Sequence, residues 1–193
     1  MLFCTALALA CGWSIGRRRG IVFAGLDLGF ILPVAVPASL IAIALIRMTQ
    51  PPSALESLYA TGGSLLWAYV VLFYPYAHKL LQPAWDQLDQ ALLDDSALLG
   101  AGGWTRFRVI AWPGLKAPVV LAIIVVGVLA SREMDATFLL RVPDGDTIAF
   151  RVHDYLHFAP GPKVAALCLV LAALSAAAVA LARWVLRGRG DGE

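Results

Sequence analysis

Five apolar stretches, most of them close to the thickness of a bilayer core, divide this sequence: Leu2 to Ile15, Leu28 to Ile46, Ser64 to Leu81, Pro118 to Ala130 and Val164 to Leu186. A hydrocarbon layer of about 30 Å takes roughly 20 helical residues to cross, and lipid offers the backbone no hydrogen-bond partner, so each span must satisfy its own amides. Composition agrees, with 60% apolar and 15% charged residues and a mean hydropathy of +0.77, beyond the usual range of a soluble domain. The expectation is an all-α membrane protein of about five transmembrane helices, with residues 1–193 forming a single domain. The first stretch is short, and its basic cluster Arg17, Arg18 and Arg19 follows the apolar run instead of preceding it. That order is wrong for a signal peptide, so the reading is a helix whose beginning is missing.

Charge and cysteine usage exclude several classes. A net charge of +2, with basic residues in short clusters, gives no continuous face for nucleic acid. Cys4, Cys11 and Cys168 lie inside apolar stretches without CxxC spacing and read as small packing residues. Cytoplasmic loops carry an excess of Lys and Arg. Placing Arg17 to Arg19 inside also puts Lys79, Arg106, Arg108, Lys116, Arg183, Arg187 and Arg189 inside, ten of the 15 basic residues, against Arg47, Arg132, Arg141, Arg151 and Lys163 outside. The amino terminus is then outside and the carboxyl terminus cytoplasmic.

The longest inside interruption, DDSALLGAGGWTRFRVIAWPGL from Asp94 to Leu115, sits in a loop of more than thirty residues. From Trp85 to Leu99 the residues Trp85, Leu88, Leu92 and Leu99 recur at helical spacing, with Asp86, Asp89, Gln90, Asp94 and Asp95 elsewhere, which predicts a short amphipathic helix. Gly100, Gly102 and Gly103 permit a tight turn. A second short helix carries Trp104, Phe107 and Ile110 every three residues, leaves Thr105, Arg106 and Arg108 toward water, and is expected to stop at Pro113, which lacks a backbone donor. Periodicity alone favours a bland interfacial hairpin lying in the headgroups through Trp85, Trp104, Phe107 and Trp112.

The spacing of Asp94-Asp95-Ser96, Gly100, Ile110 and Pro113 resembles the EAA loop of the inner-membrane permease subunits of binding-protein-dependent ABC importers, whose pattern is EAA, three residues, Gly, nine residues, then I-x-L-P. Here Asp94 replaces Glu, Asp95 and Ser96 replace the two Ala, and Trp112 replaces Leu, while Gly100, Ile110 and Pro113 keep their register. RRRG followed by LDLGFILPVAVPASLIAIAL is similar to the basic loop and Pro-containing helix of these permeases, and REMDATFLLRVPDGDTIAFRVHDY resembles the KELPATLLLRP segment of ferric-iron-type members. The resemblance implies a MetI-like permease core, corresponding to most of the second copy of a fused pair, in the bacterial inner membrane. It implies a cytoplasmic helix-turn-helix coupling loop over residues 83–115, docked in a groove of a separate ABC ATPase subunit. A second permease core, a periplasmic substrate-binding protein and membrane lipid are the remaining implied partners. Ferric iron is the solute of the most similar branch, and related permeases carry thiamine, polyamines, phosphonate, sulfate or molybdate.

The chain has no GxxxxGK[ST] phosphate loop, so ATP hydrolysis must come from a partner. Ser39, Ser64 and Ser175 lack a GxSxG setting and no histidine lies deep in a stretch; His78 and Lys79, at the inner end of the third, are expected to snorkel. No enzyme activity and no cofactor are expected. His153 and His157, four apart beside Asp154, lack a third firm ligand, so no metal site is expected either. Pro33 and Pro37 invite a bend in the second stretch, and Gly29 and Gly127 offer weak sites of close helix approach. The segment from Arg132 to Lys163, with a turn at Pro143-Asp144-Gly145 and an apolar face of Ala149, Val152, Tyr155 and Leu156, is expected to fold on the outer membrane surface, where Glu133, Asp135, Arg141 and Arg151 are the charged groups available for docking. The rival class is a non-transporting scaffold or channel-like subunit, which needs no motor-coupling loop.

Overall fold

The computed structural model describes residues 2–15, 29, 31–49, 62–140, 151, 153–155 and 161–190, and among them the regular structure is entirely helical. The elements are α1 (Leu2–Ile15), a 3₁₀ turn (Leu32–Ala35), α2 (Ala38–Thr49), α3 (Gly63–Asp86), α4 (Gln90–Leu98), α5 (Gly103–Arg132), α6 (Asp135–Leu140) and α7 (Gly161–Gly190). Arg17 to Arg19, the Pro143-Asp144-Gly145 turn, Arg141, Ala149, Val152, Leu156 and His157 lie outside the described residues.

At the centre is α3, which packs along both α1 and α5. Their shared core contains Cys4 and Ala8 of α1, Phe73, Tyr74, Ala77 and Leu81 of α3, and Leu115, Val119, Ala122 and Val126 of α5. Ala8, Ala77 and Ala122 are completely covered, because a methyl side chain lets two helix backbones approach closely where lipid supplies no hydrophobic drive. A second cluster joins α2, α3 and α6 through Ala42, Ala68, Ala136 and Leu140.

Two helices, Gly103–Arg132 and Pro162–Arg183, are long and apolar enough to cross a membrane, while α1 and α2 are apolar but shorter. Within the second of these no residue is buried, and Leu169, Val170, Leu174 and Val179 face outward along a helix that packs on α5. Uncovered apolar helix of this length is the property of a membrane protein.

The second apolar stretch is not one helix. Val36 is extended (φ −97°, ψ 128°) between the 3₁₀ turn and α2, because the ring of Pro37 disfavours helical backbone in the residue before it. Pro37 instead opens α2, its carbonyl accepting from the amides of Leu40 (3.0 Å) and Ile41 (3.3 Å). The third stretch extends past Leu81 to Asp86 and carries Pro75 and Pro83 inside it. His78 is buried and stacked on Tyr74 (ring centroids 5.7 Å apart) instead of snorkelling, whereas Lys79 is exposed and donates to Gln82 Oε1 at 2.7 Å. Cys4 is buried and Cys11 half-buried, but Cys168 lies exposed on α7.

Candidate functional site

Between Asp86 and Gly103 the chain builds a short finger. Residues 87–89 break the helix after α3, and Asp89 restarts it: its carboxylate accepts from the amides of Ala91 (2.9 Å) and Leu92 (3.2 Å), satisfying two of the donors that every helix start leaves open. The finger helix α4 then runs to Leu98. Its end is closed by Gly100, at φ +82°, where an L-residue with a side chain is strained. Gly100 N–H donates to Ala97 O and Ala101 N–H to Ser96 O, both at 3.0 Å, the paired bonds of a Schellman cap. Gly102 follows in extended conformation and α5 begins.

The six residues singled out by spacing fall into two groups. Asp94, Asp95, Ser96 and Gly100 lie on α4 and its cap; Ile110 and Pro113 lie on α5. Asp94, Asp95, Gly100 and Pro113 are exposed, and Ser96 and Ile110 are half-buried. The Ser96 hydroxyl donates to Leu93 O at 2.9 Å while its carbonyl serves the cap, so Ser96 and Gly100 act as one turn.

Four expectations for this segment are corrected. Trp85 belongs to the buried end of α3 and not to the finger helix. The helix restarts at Gln90, which resets its phase, so Leu93 is the covered leucine (1% exposed) and Leu92 is open. Pro113 does not stop the second helix. Phe107–Ala111 forms a π turn, with Trp112 N–H donating to Phe107 O five residues back, and the helix runs on to Arg132. Widening the turn before a proline leaves room for its ring and removes the need for its missing donor. Arg106, expected in water, is half-buried with its Nε and Nη1 enclosed and without an acceptor.

The finger's tip is apolar. Leu98 and Leu99 are 86% and 88% exposed, and Trp104 (72%) and Val109 (66%) continue the surface onto α5. Its base is an aromatic cluster: Phe107 meets Trp13 edge-on at 5.4 Å and lies 5.8 Å from Trp104 and 6.1 Å from Trp112, while Trp13 lies 6.2 Å from Trp85. Sequence reasoning missed Gly12, over which the Trp85 indole lies; a methyl added there would overlap Nε1. Only a contact between residues far apart in the chain creates that requirement, so no local signal marks it. Among the described residues no group of three or more His, Cys, Asp or Glu side chains is placed to hold a metal ion.

No protein-family model matches the chain. Over 148 residues, 77% of its length, it is 27% identical to the Fe(3+)-transport system permease protein FbpB 2 of Haemophilus influenzae, covering 29% of that protein. Over 134 residues, 64% of its length, it is 31% identical to the probable ABC transporter permease protein y4fN of Sinorhizobium fredii, covering 23% of it. The chain therefore spans about a quarter of the length of the curated relatives it matches. In sequence it is a relative of the permease proteins of ABC transporters.

Proposed function

We propose that this chain is a permease core of an ABC importer in a bacterial inner membrane, and that residues 83–115, which carry the finger, are its coupling loop. The observation that carries the reading is the tip: a capped helix held at both ends by α3 and α5 presents Leu98, Leu99, Trp104 and Val109 to the outside of the bundle. An exposed apolar patch on a rigid support is the surface of a docking site. The occupant is a separate ATPase subunit, facing the cytoplasm, with the carboxyl terminus on the same side. ATP-driven closure of the motor pushes the finger, and α3 and α5 tilt with it, opening a central pathway first to a periplasmic substrate-binding protein and then to the cytoplasm. A second permease core completes the pathway. The chain does no covalent chemistry.

Ferric iron is the solute we assign, supported by the name of the Haemophilus influenzae relative and by the Arg132-to-Tyr155 segment, which resembles the ferric-iron branch. Uptake of radiolabelled ferric iron by cells carrying the whole transporter, against cells lacking this chain, tests that assignment. The docking reading is tested by co-purification of the tagged chain with its neighbouring ATPase subunit, comparing wild type with Gly100→Pro. Proline cannot adopt φ +82° and removes the amide that donates to Ala97. Wild type should retain the ATPase and the variant lose it. Retention by neither, with both stably inserted, makes the chain a scaffold and overturns the importer reading.

A further inference from the structure

The finger is flanked by α3 and α5, and the far ends of these two helices are tied together by a second device. At the end of α5, Glu133 N–H donates to Ala130 O at 3.4 Å, and the Glu133 carboxylate accepts from the amide of Ala136 at 3.0 Å, so α6 leaves α5 across a two-residue joint already fastened at both sides. Of the segment expected on the membrane surface, the first helix, Asp135–Leu140, is packed into the bundle: Ala136, Thr137 and Leu140 are covered by α2 and α3.

Inside that wedge, Thr137 Oγ1 donates to the carbonyl of Glu133 at 3.1 Å and lies 2.7 Å from the hydroxyl of Tyr69 on α3. A threonine hydroxyl has one proton, and it is engaged with Glu133, so Tyr69 must be the donor of the shorter bond. The result is a directed chain, Tyr69 O–H to Thr137 O–H to the Glu133 carbonyl, joining α3, α6 and the end of α5, with Thr137 fully covered and Tyr69 half-buried. At the finger end, the Trp13–Trp85–Phe107 cluster joins α1, α3 and α5.

We propose that Tyr69 and Thr137 form an outer clamp, making them positioning residues that force α6 to move with α3 and α5, so that arrival of the binding protein at the outer face is felt at the finger. This rests on the importer reading. The test uses the whole transporter in nanodiscs with its ATPase and its substrate-loaded binding protein, comparing wild type with Tyr69→Phe, Thr137→Val and Thr137→Ser. Phe and Val keep the shapes and remove the hydroxyls. The expected result is that both lower binding-protein stimulation of ATP hydrolysis by about fivefold or more, leave basal hydrolysis and ATPase retention at wild-type levels, and that Thr137→Ser restores stimulation. Wild-type stimulation in Phe and Val, or an equal fall in basal and stimulated rates, overturns the clamp. If wild type itself retains no ATPase, the importer reading fails instead. The clamp is then judged by spin labels at Trp67 and Phe138, exposed on α3 and α6, in a cysteine-free background. Their distance distribution should be narrow in wild type and broaden in Tyr69→Phe, and an unchanged width overturns the proposal.

Discussion

Gly12→Ala should destabilise the protein far more than a single added methyl ordinarily does in a helix. A Cβ at Gly12 meets the buried edge of the Trp85 indole, 2.5 Å from Cε2 and 2.6 Å from Cδ1. Carbon atoms in contact prefer about 3.5 Å or more, so α1 and α3 must separate by roughly 1 Å or the indole must turn. Trp85 is 7% exposed and packed against Trp13, which leaves it little room to turn. Overpacking of this kind costs about 1–3 kcal/mol. At about 2 kcal/mol the thermal midpoint falls by roughly 4–8 °C in a chain of this size. Circular dichroism melts of the full-length protein in detergent micelles read that shift directly. Trp85→Leu removes the overlapping ring edge, and it also removes an indole N–H that is buried without an acceptor. The double variant should therefore melt above Gly12→Ala alone, with a coupling energy of at least ~1 kcal/mol. A Gly12→Ala melt within a degree of wild type, or strictly additive losses in the double variant, would refute the close approach of α1 to Trp85.

Three further outcomes are expected at the finger. Asp89→Ala removes the cap that serves Ala91 and Leu92, so the amides at the start of α4 should exchange hydrogen about fivefold faster, corresponding to ~1 kcal/mol, while Asp89→Asn stays near wild type; equal rates in all three would sink the capping assignment. Gly100→Ala strains the left-handed position by about 1–2 kcal/mol, loosening the α4 amides without moving the global melt, and a fall in the global midpoint would show that the cap is coupled to the core. Leu98→Asp with Leu99→Asp touches no core contact, since both are almost fully exposed. Stability should change by less than about 0.5 kcal/mol while ATPase co-purification is lost, and retention of the ATPase would remove the apolar tip from the docking surface.

The finger was readable where its signals are local. Gly100 could be identified as a turn residue because a left-handed cap needs a residue without a Cβ, and it sits at φ +82°. The face of α4 was not readable, because its phase depends on where the helix starts. Carrying the period through from Trp85 selected Leu88, Leu92 and Leu99; the break at residues 87–89 and the Asp89 cap restart the count and cover Leu93. Pro113 misled for a related reason. The rule that proline ends a helix considers one missing donor, and the π turn upstream removes that conflict by widening the helix before the ring arrives. The Gly12–Trp85 fit and the Tyr69–Thr137 bond, 68 residues apart in the chain, leave no periodic trace at all.

These misses share a mechanical meaning. A Pro113 that ended its helix would have hinged the finger on a loop, and a push on the tip would dissipate in that loop. With α5 unbroken from Gly103 to Arg132, the tip residue Trp104 and the joint at Glu133 stand on one continuous helix. A helix of 30 residues is about 45 Å long, so even a few degrees of tilt at one end displaces the other by a few ångströms. The aromatic cluster at Phe107 and the hydroxyl chain at Thr137 hold that lever to α3 near its two ends. Between them Ala77 and Ala122 let the helices approach closely while Phe73, Leu81, Leu115, Val119 and Val126 fill the seam. In the proposed clamp, the polar and aromatic contacts add to that seam at its two ends, which is where a tilt of α5 must be handed to α3.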